Sequence, residues 1–263
     1  MNGWMLMIEG CAAAMIAMVF LWLIQRRIGN AGIVDVAWAA GIGSLFVIFA
    51  ALGEGPTAHR LAIAIMGGLW GLRLAVHIHR RGHGKPEDGR YAELRRKWGP
   101  DFQPKLLAFY QLQALTIAFF SLPAALISTS PSDLVWAAWN SAGLIIWAVG
   151  WIGEWIADAQ LEAFKRDPMK TESVCQRGLW RYSRHPNYFF EWLVWVGIAI
   201  FCLPAPQGWL AAACPAAMLY VLLRVTGIPA TEAQALRSKG EAYRRYQQQT
   251  SMFVPWPPRK DVI

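Results

Sequence analysis

Charge and cysteine are both scarce in this chain. Only 16% of its 263 residues are Asp, Glu, Lys or Arg, against 56% hydrophobic residues, which is too little polarity to clothe an ordinary soluble domain. The 4 cysteines, Cys11, Cys175, Cys202 and Cys214, form no CxxC and no His-paired spacing, and three lie in apolar stretches. That excludes a structural zinc site and leaves them as packing residues. Among 5 histidines only His77, His79 and His83 cluster, and no HExxH accompanies them, so no metal is expected. No internal repeat or low-complexity tract is present, which removes transporters built from inverted repeats. The first apolar segment lacks a basic leader and is as long as a spanning helix, so it reads as a helix rather than a cleaved signal.

Apolar runs and tryptophan are abundant instead, with 15 Trp in the chain. A helix needs about 20 apolar residues to cross a hydrocarbon core of about 30 Å. That rule places seven spans, at Trp4 to Ile24, Ala31 to Leu52, Leu61 to His79, Leu106 to Ile127, Leu134 to Ala157, Asn187 to Leu203 and Gly208 to Val225. The expected fold is all-α, one polytopic membrane domain over residues 1–263. Of the 25 Lys and Arg residues, all but Arg60 fit one side of a membrane, Arg73 lying inside the third span. The positive-inside rule then sets the amino terminus outside and the carboxyl terminus in the cytosol. The same rule accounts for the net charge of +8, since the cations sit in loops between apolar spans rather than on one nucleic-acid-binding patch. Tyr91 to Trp98 and Thr231 to Gln248 are expected to form amphipathic helices at the inner interface.

Ionisable groups inside spans are costly and mark function or a buried pair. Here they are Glu9, Asp35, Arg73, Glu154, Glu191 and, at the edge, Arg224. All but Glu9 fall in the inner half of their spans, which implies a polar cavity open to the cytosol. The structural alternative is ion pairing, for example of Arg73 with Asp35. Residues three or four apart share a helix face, giving the stripes Arg73, His77 and Arg80, then Glu154 and Asp158, then Asn187 and Glu191.

The strongest local motif runs Arg177-Gly178-Leu179-Trp180-Arg181-Tyr182-Ser183-Arg184-His185-Pro186-Asn187-Tyr188, followed by Glu191. Pro186 suits the first turn of a helix, with Ser183 or His185 near the cap. Unpaired amides at such a start attract anions, and arginines surround it, so the segment reads as a phosphate cradle without a glycine-rich loop. A lipid-binding basic segment is the plainer reading, although it would not require Asn187 and Glu191 to continue one face inward.

This run, RGLWRYSRHPNYFFE, resembles the signature of the steroid 5α-reductase-like membrane reductases, which also resemble the sterol C14 and C7 reductases. Asp158-x-Gln160, GKPEDGRY at Gly84 to Tyr91, VDVAW at Val34 to Trp38, and Tyr243-x-x-Tyr246 before Phe253-Val254-Pro255 extend the likeness over most of the chain. The resemblance implies NADPH-dependent reduction of the C4=C5 double bond of a 3-oxo-Δ4-steroid or related enone, in a bacterial cell membrane with the active site open to the cytosol. It implies substrate contacts mainly from residues 1–128 and NADPH contacts mainly from residues 129–263. Asn187 would meet the nicotinamide carboxamide, while Asp158, Lys165, Arg177, Tyr182, Arg184 and Tyr188 would hold ribose and phosphates. Tyr243 and Tyr246 would close the lower side, with His185 and Arg73 completing the cofactor set. The family's Tyr and Glu proton-donor pair is not matched, since Trp70 stands where the Tyr would be. Asp35, protonated by burial, or Tyr91 is the expected acid, with Glu191 orienting. RHPxY alone is shared with isoprenylcysteine carboxyl methyltransferases, so an S-adenosylmethionine-dependent membrane methyltransferase is the second reading. A non-catalytic sterol-binding membrane protein is the third.

Overall fold

The computed structural model describes residues 2–169, 173–225 and 227–259; Lys170 and Lys260, two of the 25 Lys and Arg residues, lie outside them. Among the described residues all regular structure is helical, apart from one isolated bridge between Ser183 and Ser251. The helices are α1 (Gly3–Ile28), α2 (Ile33–Leu52), α3 (Thr57–Gly82), α4 (Gly89–Trp98), α5 (Phe102–Phe120), α6 (Leu122–Ser128), α7 (Ala138–Arg166), α8 (Pro186–Cys202), α9 (Ala213–Tyr220), α10 (Ile228–Lys239) and α11 (Glu241–Gln249). They gather into two units, Met1–Ala137 with Cys202–Leu210, and Ala138–Phe201 with Ala211–Ile263.

Among the described residues six helical runs are long and apolar enough to cross a membrane, against the seven expected. The difference is α8, which at 17 residues is about 25 Å long, the lower end of what a crossing takes. The fourth expected span is interrupted, because Pro123 has no amide to continue α5 and the chain breaks at Ser121. The Ser121 amide and hydroxyl both donate to the Ile117 carbonyl, at 3.1 and 2.8 Å, at the end of α5. The seventh span is a composite that begins as a 3₁₀ turn (Gly208–Ala212), continues as α9 and widens into a π-helical turn (Val221–Val225) carrying Arg224. Both expected amphipathic segments are helical, the second broken into α10 and α11 at Gly240, whose φ of 53° favours glycine.

Arg60, the cation that breaks the charge pattern, has a structural task. Its guanidinium donates to the carbonyls of Ala50, Gly53 and Gly55 at 2.7 to 2.9 Å, closing the carboxyl end of α2, where helix carbonyls lack partners.

Within each unit the long helices approach through glycine, as membrane helices do when backbones pack closely. A Cβ at Gly71 of α3 would lie 2.7 Å from the Ala39 carbonyl oxygen of α2. In the second unit a Cβ at Gly150 of α7 would lie 2.7 Å from the Val194 nitrogen of α8. Beside this contact Asn140 donates to the Phe201 carbonyl at 2.7 Å. Gly71→Ala and Gly150→Ala should each destabilise their unit by about 1–3 kcal/mol in detergent unfolding. Gly82→Ala, where nothing lies within 4 Å, should stay within about 0.5 kcal/mol of wild type.

Candidate functional site

The first unit builds a network around Asp35, in the opening turn of α2. Tyr91 of α4 donates its hydroxyl to Asp35 Oδ1 at 2.7 Å, and the Arg90 guanidinium donates to Oδ2 at 2.9 Å. Both oxygens thus accept, one of them from the Arg90 cation. Asp35 therefore pairs with Arg90, where the sequence suggested Arg73. Trp70, expected to replace the family's tyrosine, is fully buried and meets Trp38 edge to face at 6.0 Å between ring centres. The phenol that stands beside the acid is therefore Tyr91, itself 3% exposed.

The GKPEDGRY loop holds this network through both of its acids. Glu87 accepts from the Ala31 amide at 2.8 Å ahead of α2 and from Arg95 at 2.9 Å. Asp88 caps α4 through the Arg90 amide at 2.9 Å and also bonds the Arg90 side chain at 3.1 Å. Burial alone would raise the Asp88 carboxyl; the Arg90 side chain and amide outweigh it and hold it below its ordinary value. Arg90 therefore bridges two carboxylates, and its side chain has a fixed position from which to hold Asp35.

The second unit builds its site on the central motif. Gly178, at φ 56°, starts a 3₁₀ turn (Gly178–Arg181) and leaves no room for a Cβ, which would lie 2.5 Å from Gln160. Gln160 accepts from the Leu179 amide at 2.8 Å, and the Trp180 indole donates to the Ala157 carbonyl at 2.9 Å, fastening the turn to α7. Ser183 accepts from the His185 amide at 3.1 Å, a local turn that leads the chain into Pro186 without reaching the amides of the helix itself. Beyond Pro186, Asn187 donates through Nδ2 to Asp158 at 3.3 Å, and the His185 and Tyr188 rings stack at 5.4 Å. Glu191 accepts from the Trp195 indole one turn on at 3.0 Å.

Arg184 does something the motif did not foretell. It is 9% exposed and donates to Glu232 at 2.7 Å and to the carbonyls of Gln247 and Thr250 at 3.0 and 2.7 Å. Glu232 also receives His185 at 3.2 Å, Gln247 at 2.8 Å and the Tyr243 hydroxyl at 3.4 Å. Tyr246 donates to the carbonyls of Trp180 and Ser183. Burial, with Glu232 beside Tyr243 and Tyr243 beside Tyr246, pushes both phenols well above their ordinary values, so they remain donors at neutral pH. The main-chain bonds Arg184 to Ser251 at 2.8 Å and Trp256 to Tyr182 at 2.9 Å complete a strap between loop and tail.

The expected residues are thus divided between the units. Asp35, Tyr91 and Arg73 belong to the first, and Glu191, Asp158, Lys165, Arg177, Tyr182, Arg184, His185, Asn187, Tyr188, Tyr243 and Tyr246 to the second. The exposed face of the motif carries Arg181, Tyr182 and Arg177, the last 3.4 Å from Asp167. The residues missed from sequence are Arg90, whose one signal was its place in GKPEDGRY, and Glu232, which nothing near the motif announced. Among the described residues no group of three metal-ligand side chains comes together.

This combination of long apolar helices and a polar helix-start site defines an all-helical integral membrane protein. The chain belongs to the family described as a protein of unknown function, DUF1295, which matches residues 21–250 and is associated with steroid 5α-reductase-like membrane proteins. An uncharacterized protein of the yeast Schizosaccharomyces pombe is 26% identical over 260 residues, which cover 89% of this chain and 75% of the yeast protein. No solved structure matches it.

Removing Arg184 would strand Glu232 and two buried carbonyls. Arg184→Ala is expected to cost about 3 kcal/mol and to expose the tail after residue 240 to protease. A double-mutant cycle with Glu232→Ala should return a coupling of about 1–3 kcal/mol; additive losses would mean the pair is not one unit.

Proposed function

We propose that the protein is an NADPH-dependent reductase of the carbon–carbon double bond of a lipophilic enone such as a 3-oxo-Δ4-steroid. In this reading the chain crosses the membrane seven times, with the amino terminus outside and the motif facing the cytosol of a bacterial cell. The observation that carries it is the Tyr91–Asp35 hydrogen bond with Arg90 behind it, a phenol paired with a carboxylate where the family resemblance asks for a proton-donor pair.

The second unit's residues suit a nicotinamide nucleotide in part. The Asn187 amide is half-buried and engaged through Nδ2 with Asp158, leaving its carbonyl to receive a carboxamide N–H. Arg177 and Arg181 are exposed beside the 3₁₀ turn and suit phosphate oxygens. Arg184 does not suit that role, because its guanidinium is engaged with Glu232 and the tail, so it shapes the cradle and leaves phosphate contact to its neighbours. Tyr243 and Tyr246 support it in the same way, from behind.

NADPH, when bound, supplies the hydride, delivered to the β-carbon of the enone. Negative charge then builds on the carbonyl oxygen. The Tyr91 hydroxyl turns from Asp35 to that oxygen and stabilises the enolate, which is worth a few kcal/mol in a dry site. Arg90 holds Asp35 in place while the phenol is turned away. The α-carbon finally takes a proton from water, leaving a saturated ketone. The second reading, methyl transfer from S-adenosylmethionine, would share the helix start at Pro186 but has no task for a phenol–carboxylate pair.

Oxidation of NADPH followed at 340 nm with testosterone, progesterone or androstenedione tests the reading. Wild type should turn over at least one of them, and Tyr91→Phe should lower kcat by about 10²- to 10⁴-fold with cofactor affinity unchanged. Turnover by Tyr91→Phe at the wild-type rate would remove the phenol from the mechanism.

A further inference from the structure

The first unit holds a cavity of about 440 Å³ where the start of α2 meets the end of α3 and the loop that follows it. Its polar lining includes His79, Arg81, His83 and Lys85, together with Asp35 and Asp88. The two acids do not balance these cations, because Arg90, outside the lining, already bonds both at 2.9 and 3.1 Å. The Lys85 amide donates to the Gly82 carbonyl at 3.1 Å, while the exposed Arg81 and Lys85 side chains lie within no hydrogen-bonding distance of the described acids, Arg81 acting on Asp88 only through its charge. The His79 and His83 rings lie 5.3 Å apart and bring two more donors to the same wall. A solvated basic loop would also be rich in free cations, but it would be neither concave nor pinned. This one is fastened at Glu87 by the Ala31 amide and Arg95, and turns at Gly84 with φ 71°. Ile33, Val36 and Ile78 give the cavity an apolar side.

We propose that this cavity is a receptor for a phosphate group, supplied by the headgroup of an anionic phospholipid. One guanidinium, one ammonium and two imidazoles offer the donors that a phosphate diester accepts. The apolar side suits the glycerol and first methylenes of the chains, and the ends of two apolar helices place the cavity at headgroup level. The site adjoins that of the reductase reading, since Asp35 lines the cavity while the buried Tyr91 does not, and its test reads lipid and phosphate binding rather than turnover.

The test compares purified wild type with the Arg81→Ala/Lys85→Ala double variant in nanodiscs of phosphatidylglycerol or phosphatidylcholine, with lipid retention read by native mass spectrometry. Wild type should retain phosphatidylglycerol over phosphatidylcholine, and the double variant should lose that preference roughly 20-fold, at about fivefold for each cation near a membrane surface. Arg81→Lys/Lys85→Arg should keep it, which separates loss of charge from loss of fold. Arg244→Ala/Arg245→Ala, on exposed cations of the second unit, should also keep it. In a second arm millimolar inorganic phosphate is added without lipid. Protection of wild type but not of the double variant against unfolding, with no preference between lipids, would keep the phosphate site and assign it to a soluble ligand. Equal behaviour of wild type and double variant in both arms overturns the proposal.

Discussion

A single buried guanidinium organises the second unit. Arg184 lies one residue before the His–Pro start of α8, and its partners are Glu232 on α10 and two carbonyls at the end of α11. Nearly everything on the tail side of the motif follows from that contact. It brings His185, Tyr243 and Gln247 to the same carboxylate, and the tail crosses beneath Tyr182 and Ser183. A buried ion pair gives little net stability against an apolar alternative, yet losing one partner is costly, so the arrangement specifies geometry more than it adds energy. The start of α8, with Asn187 and Asp158 beyond it, is held in one place as a result.

The first unit solves a similar problem with an exposed cation. Arg90 joins Asp35 to Asp88 across the gap between α2 and α4, and the same loop holds the approach to α2 through Glu87 and caps α4 through Asp88. Tyr91 follows Arg90 in sequence, so the residue that fixes the carboxylate also positions the phenol. One short polar segment thereby sets the opening turn of a hydrophobic helix and the orientation of its acid.

Much of the fold was legible in the sequence because membrane helices announce themselves through runs of apolar residues. Helices α1, α2 and α3 begin and end within about four residues of the expected spans, whereas α7 runs on to Arg166, past the expected end at Ala157. The breaks were harder to read: the stop at Ser121 depends on Pro123 acting in an otherwise continuous apolar stretch, and α8 is short because the chain turns at Cys202. The helix start at Pro186 was local and therefore visible. The partners of Arg184 and Asp35 were not, since Glu232 lies 48 residues from the first and Tyr91 56 from the second. Tertiary contacts at that separation leave no periodic trace, so Arg184 read as a phosphate ligand and Asp35 as a lone buried acid. Arg60, an apparent exception to the charge pattern, proved to be a cap on α2, a role that only the three carbonyls around it reveal.

The account's central claim is that the second unit is a nicotinamide-nucleotide site built on the Asp158–Asn187 pair. Thermal unfolding of detergent-purified protein with NADPH or with S-adenosylmethionine tests it most directly. The account predicts a higher unfolding temperature with NADPH, lost in Asn187→Ala, and no shift with S-adenosylmethionine. Protection by S-adenosylmethionine and none by NADPH would contradict it.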